Sequence, residues 1–242
     1  MAASPSRRVP NPMRDAPKQL TFDLPLDPRF GREDFLVSPS NEQAYLTIER
    51  WPDWLDMILL LNGPGGSGKS HLASIWATTA RAWTVDAHAI AADAVPHLVS
   101  NGALVIEDMD RPDRDEAALF HLLNLARERR AFVLITGAGP PDRWGLRTPD
   151  LLSRLRLAPS VALDPPDDAL LKAVLVKLFV DRQLVVDTTV VDYIALRIER
   201  SLARAAEVVA TLDREALSRG RRVSRPIAAE ILGTLQDRDD AS

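Results

Sequence analysis

NGPGGSGKSH, residues 62–71, is the stretch on which the reading of this 242-residue chain turns. Gly63, Gly68, Lys69 and Ser70 fill the pattern G-x-x-x-x-G-K-[ST]. The pattern carries meaning only between a buried strand and a helix. That context is present: the apolar run MILLL within Leu55–Leu61 precedes it, and KSHLASIWATTA, Lys69–Ala80, follows without a helix breaker. Small residues along Gly63, Pro64, Gly65, Gly66, Ser67 and Gly68 let the backbone curl, so that successive N–H groups point inward at phosphate oxygens. The helix N-terminus adds its own unpaired N–H groups and partial positive charge. Lys69 is expected to reach the β- and γ-phosphates, Ser70 to ligate Mg²⁺, and His71 to close the run on the nucleotide side. The expected cofactors are ADP or ATP with Mg²⁺.

A second buried strand, Ala103–Ile106, ends in the acids EDMD. Glu107 and Asp108 thus emerge where the phosphates would lie, one to hold the metal and one to polarise an attacking water. The usual first acid is Asp, and Glu107 is one methylene longer, which puts metal positioning and intrinsic hydrolysis in question. None of His71, His88, His97 and His121 has metal-ligand spacing, and as side chains they read as ordinary helix or turn residues.

Outward from these motifs, strands are expected at Trp83–Val85, Phe132–Ile135 and Val161–Leu163, and helices at Ile90–Val99, Asp115–Arg130 and Pro149–Leu157. Apolar residues at 118, 119, 122, 123 and 126 give the Asp115–Arg130 stretch one apolar helical face. Alternating strands and helices indicate a parallel sheet covered on both faces. After Pro166 only helices are expected: Asp167–Val180, Thr188–Arg200, Ser201–Arg219 and Ser224–Leu235. The organisation predicted is a leader over 1–29, an α/β nucleotide-binding domain over 30–166 and a small all-helical domain over 167–242.

Composition narrows the setting. The chain has no cysteine, so disulfides and Cys-metal sites are excluded, and no window is long and apolar enough to span a bilayer. A cytoplasmic setting follows as the expectation. A net charge of −4 does not suit a dedicated nucleic-acid binder. Arg197–Arg225 nevertheless holds eight Arg against four acids. That is either a solvated helical face or a weak DNA contact. Only four of the 30 basic residues are Lys. Residues 1–17 contain four prolines and little that could form a core, so they read as a flexible leader.

A phosphate-loop α/β domain followed by a helical lid resembles the AAA+ ATPases, and several segments resemble the DnaA-related branch. DFLVSPSNEQAY, residues 34–45, is similar to its adenine-side segment, with Ser38-Pro39 replacing the middle. Thr136 matches the sensor-1 position. LLSRLRLAPSVALDPPDD, residues 151–168, resembles the branch's Ser-Arg-Leu/Phe box, and Arg154 there matches its arginine finger. ERSLARAAEVV, residues 199–209, places Arg204 at the sensor-2 position. Read alone, Arg154 could be a surface charge and Arg204 a helix-face partner of Glu207.

The initiator DnaA carries a helix-turn-helix domain beyond its lid, whereas this chain stops at Ser242. The resemblance is therefore to the truncated regulatory inactivators of DnaA, the Hda type. Those proteins carry a short motif that docks on the replicative sliding clamp, which Gln19-Leu20-Thr21-Phe22 with Leu24 matches. Either Phe22 or Leu24 would fill the apolar pocket. By itself the segment reads more readily as a strand packing on its own domain. What the resemblance implies is a replisome-associated brake: tethered to the clamp, the protein stimulates hydrolysis of DnaA-bound ATP, touching DNA only indirectly, with a homo-oligomer possible. The rival expectations are an independent AAA+ ATPase such as a helicase loader, a DNA-binding adaptor, and, less favoured, a nucleotide kinase.

Overall fold

In the computed structural model, residues 31–239 are described. Five strands are present among them: β1 (Ile58–Asn62), β2 (Trp83–Asp86), β3 (Ala103–Glu107), β4 (Phe132–Gly137) and β5 (Ser160–Ala162). They form one parallel sheet in the order β2-β3-β4-β1-β5. β1 and β3 read ILLLN and ALVIE and are buried along four consecutive positions, as strands covered on both faces must be.

On one face, Leu60, Ile106 and Val133 pack against α3 (Val95–Ser100), α4 (Glu116–Glu128) and α5 (Pro149–Leu157). On the other, Leu59, Leu61 and Val105 meet α1 (Glu42–Glu49) and α2 (Lys69–Ala80). A separate core gathers α6 (Asp168–Asp181), α7 (Thr188–Ala195), α8 (Leu202–Arg219) and α9 (Arg225–Asp239) around Leu175, Phe179, Ile194, Val208 and Leu212. Side-chain caps set where the helices start. Asp115 Oδ1 accepts from the Ala118 N–H at 2.9 Å, Asp167 from Leu170 at 2.8 Å, and Ser201 Oγ from Arg204 at 3.2 Å.

Three sequence expectations need correction. The stretch Ile90–Val99 is helical only from Val95, because Pro96 suits a helix's first turn and not its interior. The helix expected over Thr188–Arg200 stops at Ala195; Leu196 is its C-cap, and Glu199 O accepts from Ser201 N in a turn instead. The short α1 was not expected. Only Ala44 and Ile48 of its eight residues are buried, too few for a clear periodic signal. Gln19, Leu20, Phe22 and Leu24 lie outside the described residues.

Candidate functional site

The stretch 63–68 joins the C-terminal end of β1 to α2. Its base is pinned by the Gly63 N–H donating to Gly137 O at 3.2 Å, so it sits on the end of the β1–β4 pair. Gly66 has φ +70, a conformation that side chains disfavour, and a Cβ there would collide with Ser201 Oγ. The loop therefore touches the first turn of α8. The Leu202 N–H donates to Gly66 O at 2.7 Å, and Ala203 Cβ would lie 3.2 Å from that added carbon.

Lys69 Nζ donates to Gly63 O at 2.8 Å and Pro64 O at 2.9 Å, holding its charge against the loop. Burial lowers its pKa, opposed by the negative charges of Asp110, Asp108 and Glu107. Ser70, one residue further into α2, faces the ends of β3 and β4. Ser70 Oγ donates to Glu107 Oε2 at 2.9 Å, and Thr136 Oγ1 donates to the same oxygen at 3.1 Å. Parallel pairing dictates this meeting: Ile106 is registered with Ile135, so the next residues, Glu107 and Thr136, are adjacent at the strand ends. Thr136 Oγ1 also accepts from the Asp108 N–H at 3.1 Å. Burial pushes the Glu107 carboxyl up, and the two hydroxyl donors pull it back only in part. Asp108 adopts φ +56 and its Oδ2 is 2.8 Å from Arg111 NH2.

These residues fit a phosphate group and its metal. Ser67 Oγ is buried inside the loop without a hydrogen-bond partner among the described residues, beside a helix N-terminus whose first N–H groups lack intrahelical acceptors. Ser70 and Glu107 offer hard oxygens side by side, of the kind that holds Mg²⁺ together with phosphates. Among the described residues no group of three His, Cys, Asp or Glu could hold a metal by itself.

Beside the loop is a cavity of about 170 Å³, mostly apolar, lined by Phe35, Leu36, Gly68, His71, Leu170 and Leu202. It joins the expected adenine-side segment to His71 of α2, Leu170 of α6 and Leu202 of α8. Phe35 stacks on Tyr45, with ring centroids 5.6 Å apart, and meets His71 edge-on at 5.2 Å. Buried Asn41 fixes this segment: its Nδ2 donates to Leu36 O and its Oδ1 accepts from the Ser38 N–H, each at 2.9 Å. Lys177 of α6 lies 2.7 Å from Asp34 and 2.7 Å from Asp181, tying the segment to the helical part. Sequence reasoning missed Asn41 and Lys177. Asn41 lay within the quoted segment, and Lys177 was one of the rare lysines, but only the fold gives them partners.

The two expected arginines are placed differently. Arg204 follows Ala203 in the first turn of α8, with its side chain 13% exposed and its NH1 2.7 Å from Glu207 Oε2. Arg154 is not joined to the loop: on α5 it lies over the Phe120 ring of α4, 4.9 Å from the centroid.

No protein-family model matches the chain. Solved structures do resemble it. Domain III of the Thermotoga maritima replication initiation protein DnaA superposes with a TM-score of 0.73 at 19% identity, covering 87% of this chain and 98% of that one. AMPPCP-bound DnaA from Aquifex aeolicus gives 0.66 at 19%, covering 81% and 68%. The Thermotoga maritima RuvB Holliday junction branch migration motor gives 0.68 at 17%, covering 86% and 72%. At such identities the likeness is one of fold: a parallel five-stranded sheet with a helical C-terminal portion.

Proposed function

We propose that this chain is a nucleotide-bound regulator that promotes hydrolysis of ATP held by the initiator DnaA while tethered to the replicative sliding clamp. Residues 30–166 would bind ADP or ATP, 167–242 would form the lid, and the leader would carry the clamp motif at Gln19, Leu20, Phe22 and Leu24. Its place would be the cytoplasm, at the replisome. In support of nucleotide binding, Gly63–Ser70 curls over Lys69, and a cavity suited to a base opens next to Gly68 and His71. When bound, the nucleotide and Mg²⁺ would supply the phosphate and metal charge that Lys69, Ser70 and Glu107 are set to receive. Ser70 and Glu107 would hold the metal, with Arg204 on the lid side.

The observation that carries the regulatory reading is the contrast between the two arginines of α5. Arg156 is paired with Asp142, whereas Arg154 faces no carboxylate among the described residues and rests on Phe120. A guanidinium held on an aromatic ring keeps its charge available to a partner. In trans, Arg154 would offset the charge building on the γ-phosphoryl oxygens of DnaA-bound ATP as water displaces ADP. Such a residue is worth about 10³–10⁵ in rate. The chain's own turnover would be weak, since Glu107 is engaged by two hydroxyls and Asp108 by Arg111.

The test preloads DnaA with γ-labelled ATP and adds clamp loaded on DNA. Release of labelled phosphate is expected to accelerate with this protein, and to return to the basal rate with Arg154→Ala or with Gln19→Ala plus Leu20→Ala. Steady turnover by the chain alone, with no effect on DnaA, would replace this reading with that of an independent AAA+ ATPase such as a helicase loader.

A further inference from the structure

A groove of about 410 Å³ lies on the helical part, away from the nucleotide loop. Its walls are the turn after α6, Gln183–Val185, and the turn between α8 and α9, Gly220–Val223. Both turns are fixed by backbone bonds: Leu184 N–H donates to Phe179 O at 2.9 Å, and Arg221 N–H to Ala216 O at 3.1 Å. Its floor is apolar and open to water, with Val185 83% and Leu217 61% exposed; Val180, nearby in sequence on α6, is 65% exposed. On its rim Arg221 and Arg222 pair with no carboxylate among the described residues.

We propose that this groove is the seat of the chain's own segment 20–27, LTFDLPLD, bound in extended form. Three observations converge on that occupant. The first is pattern: Leu20, Phe22, Leu24 and Leu26 alternate with Thr21, Asp23, Pro25 and Asp27, so an extended backbone puts four apolar side chains on one side. The second is charge. The other side carries Asp23 and Asp27 and no base, complementary to Arg221 and Arg222. The third is place. The described chain begins at Gly31, three residues before Asp34, and Asp34 is bonded through Lys177 to Asp181, two residues before the groove residue Gln183. Residues 31–34 are folded into a short turn, and from Gly31 back to Asp27 an extended chain spans roughly 13 Å, more than the 8–10 Å between packed helices. Neither the alternation nor the two aspartates is explained by the nucleotide site. Docking here would also cover part of the segment assigned above to the clamp, though the inference stands apart from that assignment.

Because the chain lacks cysteine, a single nitroxide can be attached cleanly through Pro17→Cys in the full-length, isotope-labelled protein. The amide signals of Leu184, Val185, Leu217 and Gly220–Val223 are expected to broaden beyond detection, while those of β1 and β4 stay sharp. They should return with Leu217→Asp, whose exposed side chain can change without disturbing the core, and with Phe22→Ser combined with Leu24→Ser. Weak uniform broadening, broadening centred on another surface, or broadening that survives both variants would overturn the proposal. So would broadening that requires the nitroxide to be on a second chain, since the occupant would then be another copy. Neither clamp nor DnaA is present, so failure here and failure of the function above are separate outcomes.

Discussion

Lys69 concentrates the chemistry of the site at the residue scale. Its ammonium is half-buried and held by two loop carbonyls, which a phosphate would replace as partners. Removing the charge in Lys69→Met should forfeit hydrogen bonds worth about 1.5–3 kcal/mol, hence roughly 10- to 100-fold in ADP affinity. Titration calorimetry reads this directly, and unchanged affinity would remove Lys69 from the site. Glu116 makes a pH-dependent case. Burial alone would raise its pKa, but the Arg147 N–H at 3.0 Å and the Thr148 N–H at 2.6 Å donate to its carboxylate and lower it. A depressed carboxyl contributes stability above its unfolded pKa and loses it as pH falls through the folded value. Glu116→Gln should therefore cost about 1 kcal/mol at neutral pH, after allowance for solvent screening. The gap from wild type should close in acid below the ordinary carboxylate range. A gap independent of pH in urea unfolding would mean that shape, not charge, joins α4 to α5.

At the scale of elements, the contact that matters most is between the phosphate loop and α8. Gly66 occupies a left-handed conformation directly under Ser201, the residue that caps α8. Gly66→Ala carries about 1–2 kcal/mol of backbone cost plus the collision with Ser201 Oγ. Ser201→Gly in the same chain should recover the collision but not the backbone cost, giving a coupling energy in a double-mutant cycle. Additive losses would mean that loop and helix do not share this contact. The elements also show what periodicity could and could not reveal. α4, with apolar residues spaced at i, i+3 and i+4 and Asp115 at its cap, was legible to within two residues at each end. α1 was not, since its stability comes from Ala44 and Ile48 meeting partners far away in sequence.

Across the whole molecule, the sheet core and the helical core are joined at few points, and one is the Asp34–Lys177–Asp181 link. Asp34 has a side chain only 13% exposed, so Lys177→Met leaves a carboxylate without this cation. A loss of about 1–3 kcal/mol is expected. ADP release, followed by stopped-flow fluorescence of a labelled analogue, should quicken, because the base cavity lies beside this link. Unaltered release would show that the link holds the halves together without bearing on the nucleotide. Ligand binding should act in the opposite sense. ADP at a hundred times its Kd would add about 2.7 kcal/mol to stability, visible as a raised Tm in wild type, and at the same ADP concentration only about 0.4–1.4 kcal/mol in Lys69→Met.

The sequence alone determined the fold class and the loop, because both rest on local order. Buried parallel strands need continuous apolar runs, and a loop that curls on phosphate needs Gly63, Gly68, Lys69 and Ser70 in register with a strand and a helix. It also supplied Glu107 and Thr136, each at a strand end. Only the tertiary structure decided which of these meet. Sheet order β2-β3-β4-β1-β5 brings Glu107 and Thr136 side by side and sets Ser70 against them. The fold, too, places Ser201 over Gly66, Lys177 between Asp34 and Asp181, and Arg154 on Phe120 rather than on an acid. Apart from the i, i+4 pair of Lys177 and Asp181, such partners are separated by tens of residues in sequence, and no periodicity records them; packing of one element against another creates them.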